Sequence, residues 1–108
     1  KLHCEVMSKL IIPAIRALVA MRLIRKYKMT QIEAAKKLGV TQPAISYYLH
    51  SKRGKIAIEK IRSNKDIMKC VEKLTDVIYR EESSDEVQKI MCEICAIIKR
   101  EKATYYEI

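Results

Sequence analysis

Four cysteines are the most reactive side chains in this 108-residue chain. Cys92 and Cys95 stand three apart in a CEIC run, while Cys4 and Cys70 lie far from them and from each other. Four thiolates are what a structural zinc or an iron–sulfur cluster requires. Cys4, Cys70, Cys92 and Cys95 therefore form a candidate metal set, with His3 as a substitute for one ligand. The spacing lacks the turn glycine of a zinc knuckle, so disulfides, free thiols and small core residues stand beside the metal as alternatives. Cys4 and Cys70 fall on apolar stripes, where a core role suffices. Cys92 lies beyond the stripe of its helix, and packing does not explain it. No P-loop, G-x-S-x-G or H-E-x-x-H motif occurs, and two histidines without a carboxylate cluster leave little for catalysis. The chain is read as a non-enzyme.

A second chemistry is carried by carboxamides and cations in Met29–Gly54, MTQIEAAKKLGVTQPAISYYLHSKRG. Thr30 caps a short helix opening at Gln31, and Ala34, Ala35 and Leu38 form its apolar face. Gly39 ends it where a left-handed backbone is cheap, and Val40 is expected to drop into the core. Thr41 caps a second helix with Pro43 in its first turn, and Ile45, Tyr48 and Leu49 face inward. Ala35 supplies the small contact that two steeply crossing helices need. The spacing is that of a helix-turn-helix over residues 30–50.

Gln31, Ala35, Gly39, Gln42 and Ile45, followed by the basic Lys52-Arg53-Gly54-Lys55, resemble the Cro/repressor-like helix-turn-helix family, often labelled XRE. Further runs are similar to small archaeal regulators of that type: Cys4–Val6, Pro13–Ala20, Gln42–Leu49, Lys52–Gly54 and Cys92–Cys95. The resemblance implies an all-α, lambda-repressor-like bundle and a sequence-specific regulator of double-stranded DNA, a repressor, with helix 42–50 in the major groove. On the family pattern Gln42, Pro43, Ser46 and Tyr47 reach base edges, Gln42 foremost, since a carboxamide pairs bidentately with adenine. Gln31 at a helix N-terminus and Lys52, Arg53 and Lys55 are expected on phosphates. Lys36 and Lys37 are expected to face solvent. His50 is expected to sit on the helix dipole or a phosphate. Larger relatives append a small-molecule domain that this chain lacks, so any effector is expected to act through the helices or, as a redox or metal switch, through the cysteines. The competing expectation is a protein-interaction module whose helix-turn-helix is vestigial.

Charge favours the nucleic-acid partner. Residues 1–62 hold 14 Lys/Arg against 3 Asp/Glu, whereas residues 63–108 hold 8 against 10. The basic half contains the motif, and phosphate neutralisation supplies much of the affinity for DNA. No apolar run is long enough to span a bilayer and no secretory signal is present, so a cytoplasmic protein without membrane contact is expected.

The remaining segments must hold this motif. The stripe Cys4, Met7, Ile11, Ala14, Ile15, Leu18 predicts a helix over 2–28, which Pro13 either kinks or restarts. After a Lys52-Arg53-Gly54 turn, Ile56, Ile58 and Ile61 predict one more helix, closing an N-terminal unit at 1–62. Residues 63–108 predict a two-helix hairpin, with Ser83 and Glu86 as a capping box and a tail of uncertain order from Ala103. The surplus apolar face of the hairpin, with the N-terminal helix, is the expected homodimer surface.

Overall fold

The computed structural model describes residues 1–108 and contains helices only. The first apolar stripe makes one nearly continuous rod: α1 (His3–Val6), a π-helical turn (Met7–Ile11) and α2 (Ile12–Tyr27). Pro13 causes the irregularity. It sits in the first turn of α2, where its missing amide is harmless, and the turn before it widens so that Ile12 N–H reaches Met7 O. The rod is therefore modulated at Pro13 and not broken.

The chain continues through α3 (Gln31–Lys37), α4 (Gln42–His50), α5 (Lys52–Arg62), α6 (Lys65–Tyr79), α7 (Ser84–Arg100) and α8 (Lys102–Tyr105). Ala14, Ile15, Ala17–Ala20 and Leu23 bury nearly the whole circumference of α2, which is the spine. Helices α3, α4 and α5 pack on it from one part of the chain and α6 from the other. One core of 24 buried side chains runs from Val6 to Tyr105, so segments 1–62 and 63–108 share an interior.

That sharing narrows the apolar face left for the expected dimer surface. Ile67, Cys70, Val71, Leu74 and Val77 of α6 and Ile90, Ile94, Ile97 and Ile98 of α7 are buried within the chain. Beside them runs an apolar groove lined by the half-buried Ile12, Leu38, Ile78, Val87 and Met91. The expected capping box at Ser83 is also absent. Its hydroxyl makes no cap bond, and Asp85 and Glu86 meet the positive end of α7 as charges. The tail is ordered: α8 buries Tyr105 to 1% exposure, and Lys60 Nζ donates to Thr104 O at 2.8 Å. No helix is long and apolar enough to cross a membrane.

Polar contacts fasten the two segments at one edge. Asp76 of α6 accepts from Lys26 Nζ at 2.8 Å and from Tyr27 Oη at 2.5 Å. The Tyr27 ring stacks on Tyr79 with centroids 3.6 Å apart. Lys37 is not simply solvent-facing, because it pairs with Glu81 at 2.8 Å and donates to Tyr79 O. Its ammonium is where α3 meets the end of α6.

The hydrogen bonds from Lys26 and then Tyr27 hold the Asp76 carboxyl below the usual carboxylate range. A depressed folded pKa adds stability that is complete above the unfolded value and is lost as pH falls through the folded one. Asp76→Asn should therefore be less stable than the parent at neutral pH in urea melts. The gap should close as pH drops below about 4. A gap of constant size across that range would show that Asp76 acts by packing and not by its charge.

Candidate nucleic-acid interface

Local chemistry sets each helix end around the motif. Thr30 Oγ1 accepts from Glu33 N–H at 3.1 Å while Glu33 Oε1 accepts from Thr30 N–H at 2.8 Å, a reciprocal box that also lowers the Glu33 carboxyl pKa. At the other end Gly39 has φ +68, Gly39 N–H bonds to Lys36 O and Val40 N–H to Ala35 O. These two bonds make a Schellman closure, which turns the chain sharply toward α4. Ala34 and Ala35 are buried as expected. Val40 is not, because the reversal leaves it half-exposed on the rim.

Thr41 Oγ1 then accepts from Ala44 N–H and starts α4, with Pro43 in the first turn. No residue of this nine-residue helix is fully buried. Ile45, Tyr48 and Leu49 are half-buried against the core, and Tyr48 Oη donates to Leu10 O at 2.5 Å. Burial pushes the Tyr48 hydroxyl up to about 12, so it remains a donor at any physiological pH. Its acceptor lies in the π-helical turn.

Lys52-Arg53-Gly54, expected as a turn, is instead the first turn of α5, capped by Ser51 Oγ on Gly54 N–H at 3.0 Å. Gly54 is required by a tertiary contact. A Cβ there would lie 2.0 Å from Tyr48 O and 2.5 Å from Ser51 Oγ. The absence of a side chain lets α5 begin directly under the end of α4.

At about 100° per residue, a helix with Ile45, Tyr48 and Leu49 inward centres its outer face on Pro43, Tyr47 and His50. Tyr47 is 76% exposed, Pro43 and Ala44 are exposed, and Gln42 and Ser46 are half-buried at the flank. The four residues expected at base edges thus share one side of α4. Ala44 and His50 complete that surface and were not among them, although the same period marks both. His50 Nδ1–H donates to Ser46 O at 2.7 Å, consistent with a place at the negative end of the helix. Ile32 is a further outward residue, 65% exposed beside Gln31.

Gln31 and Gln42, eleven apart in sequence, meet: Gln42 Nε2 donates to Gln31 Oε1 at 2.9 Å. The bond joins the start of α3 to the start of α4 on the rim of a groove floored by Ala20, Ile24, Ile45 and Leu49. It leaves Gln42 with its carbonyl oxygen and one N–H free, and Gln31 with both N–H groups free.

Lys52, Arg53 and Lys55 are exposed in the first turn of α5 and pair with no carboxylate. Arg53 donates to Ile108 O at 3.0 Å, which lays the tail beside the basic turn.

The cysteines do not assemble. Cys4 and Cys92 are exposed, Cys95 is half-buried and Cys70 is buried, and all four are free thiols. No three His, Cys, Asp or Glu side chains converge closely enough to hold a metal ion. The fold thus does not bring the candidate set Cys4, Cys70, Cys92, Cys95 together at one zinc or iron–sulfur centre. Cys70 is a core thiol whose pKa burial raises, with a contact to Glu93 adding to the shift. Cys4 is not the core residue its stripe suggested, since its turn of α1 faces solvent.

Comparison with known proteins agrees with this geometry. Residues 20–62, from within α2 to the end of α5, match the family model described as Helix-turn-helix. Neither curated proteins nor solved structures give a significant match. The matched family comprises XRE-type DNA-binding regulators and not enzymes. The caps, the Gly39 reversal and the exposed face of α4 all fall inside the matched span, and the chain therefore carries at residues 20–62 an XRE-type helix-turn-helix domain of the kind that binds DNA.

Proposed function

We propose that the chain is a sequence-specific repressor that seats the outer face of α4 in the major groove of double-stranded DNA. The observation that carries this reading is the Gln31–Gln42 bond on the exposed rim of the motif. A carboxamide reads adenine by accepting from N6–H and donating to N7. Gln42 retains one acceptor and one donor for that pair, and Gln31 holds its amide plane while keeping N–H groups for a phosphate. Fixing the plane beforehand removes rotamer entropy that binding would otherwise have to overcome. Pro43 and Tyr47 offer apolar contact to sugar or a thymine methyl, and Ser46 offers a single hydrogen bond. Lys52, Arg53 and Lys55 grip the backbone beyond the helix end. One helix of this length touches few bases, so two copies read a pseudo-palindrome with half-sites about one helical turn apart.

The phosphate contacts make affinity depend steeply on salt. In fluorescence titrations on a random-sequence duplex, Lys52→Ala and Lys55→Ala should each weaken binding to all sequences alike and lower the salt slope by about 1. An unchanged slope would take these residues out of the contact set.

The carboxamide pair gives a sharper test. Gln42→Ala should cost about 1–3 kcal/mol on the preferred site and relax discrimination at one base position. Because Gln31 orients Gln42, the double variant should lose less than the two single losses together, with a coupling of at least about 0.5 kcal/mol. Additive losses, or an equal loss on random DNA, would contradict a base-reading pair.

A further inference from the structure

One polar cluster lies outside the DNA-binding motif and has no part in it. His3 Nε2 stands 2.9 Å from Cys95 Sγ, and His3 Nδ1 meets the Tyr106 hydroxyl. The three side chains come from α1, α7 and the residue that follows α8, separated by 92 and 103 positions in sequence. The fold had to bring them together, and packing alone does not account for a thiol set against an imidazole nitrogen. Cys4 and Cys92 are more exposed, yet neither has a hydrogen-bond partner.

The arrangement is that of an activated nucleophile: a thiol within hydrogen-bond reach of a base, and the base oriented by a third group. Tyr106 sets the tautomer. When its oxygen accepts from Nδ1–H, Nε2 presents a lone pair to the thiol proton. Partial burial and then the nearby Cys95 raise the Tyr106 pKa, which keeps that hydroxyl neutral. Cys95 is half-buried and packed against the core edge, so it is less open to solvent than Cys4 or Cys92.

We propose that Cys95 is a modification site, a thiol that His3 activates toward hydroperoxides. The thiol gives its proton to His3 Nε2, and the thiolate attacks the terminal oxygen of the peroxide. The S–O bond forms as the O–O bond breaks, and the leaving alkoxide or hydroxide takes the proton from His3. Sulfur loses two electrons and the peroxide gains them, giving a sulfenic acid and an alcohol or water. The added oxygen cannot share the 2.9 Å contact, so His3 and Tyr106 must shift. Two residues past Tyr106 is the Ile108 oxygen that Arg53 and Lys1 hold, so the modification bears on the basic turn of α5.

The test is site-resolved oxidation of the reduced full chain, and it reads the same whether or not the chain binds DNA. Hydrogen peroxide is added with dimedone as sulfenic-acid trap, and adducts at all four cysteines are followed by peptide mass spectrometry. Cys95 should be modified about tenfold faster than Cys4 and Cys92, against the order of their exposure. His3→Gln should abolish that lead and leave the Cys4 and Cys92 rates alone. Should His3→Gln fail to fold by circular dichroism, Tyr106→Phe serves in its place, and its expected result is a slower Cys95. Adducts that rank with exposure, or an unchanged Cys95 rate in a folded variant, would overturn the proposal.

Discussion

On the proposed function α4 must keep one side bare, and that constraint governs how the helix is held. It has nine residues and not one is fully buried, so the hydrophobic effect alone holds it weakly. The compensating contact is the Tyr48 hydroxyl on the Leu10 carbonyl, a half-buried bond from the last turn of α4 to the rod beneath it. Such a bond adds only about 0.5–1.5 kcal/mol, but it fixes direction as well as distance. Its acceptor is offered by the widened turn ahead of Pro13. The same Tyr48 lends its backbone oxygen to the tight approach at Gly54, which locks α5 against the end of α4. Proline, tyrosine and glycine thus act together, each where its particular chemistry is required.

The spine α2 converts this local order into a rigid platform. Its alanines at 14, 17 and 20 are buried, which lets neighbours approach closely, and Ile15, Val19 and Leu23 fill the space between. The segment 63–108, which carries 10 of the chain's 13 carboxylates, packs on this spine through α6, and the Asp76 and Lys37 contacts fasten the edge between the two segments. The Asp76 and Glu81 carboxyls spend their charge on Lys26 and Lys37, which neutralises two cations that are not on the outer face of α4.

Much of the motif was legible because its signals are local. Thr30, Gly39, Thr41 and Pro43 act within a few residues of themselves, and each performs the role its type predicts. The errors arise where a distant group decides. Gly54 reads as a turn breaker, yet its smallness answers to the Tyr48 carbonyl while its backbone is helical. Lys37 reads as a solvated charge because Glu81 is invisible from its own helix. Two apolar stripes on the hairpin suggested a second subunit, but α6 packs on α2 and α7 packs on α6, so much of both stripes is used within the chain. The cysteines show the limit most plainly. Four thiolates suggested one centre, whereas the fold scatters them and pairs one with a histidine 92 positions away. The Gln31–Gln42 bond lay between: the residue types were visible, and only the geometry joined them.

The outer face of α4, with the starts of α3 and α5, is the surface we propose to meet DNA. Titrating a short random-sequence duplex into the isotope-labelled chain and following backbone amide shifts by nuclear magnetic resonance tests it directly. The largest changes are expected at Gln31, at Gln42 to Tyr47 and at Lys52 to Lys55, with α7 nearly silent. Changes concentrated on α6 and α7, with α4 undisturbed, would contradict it.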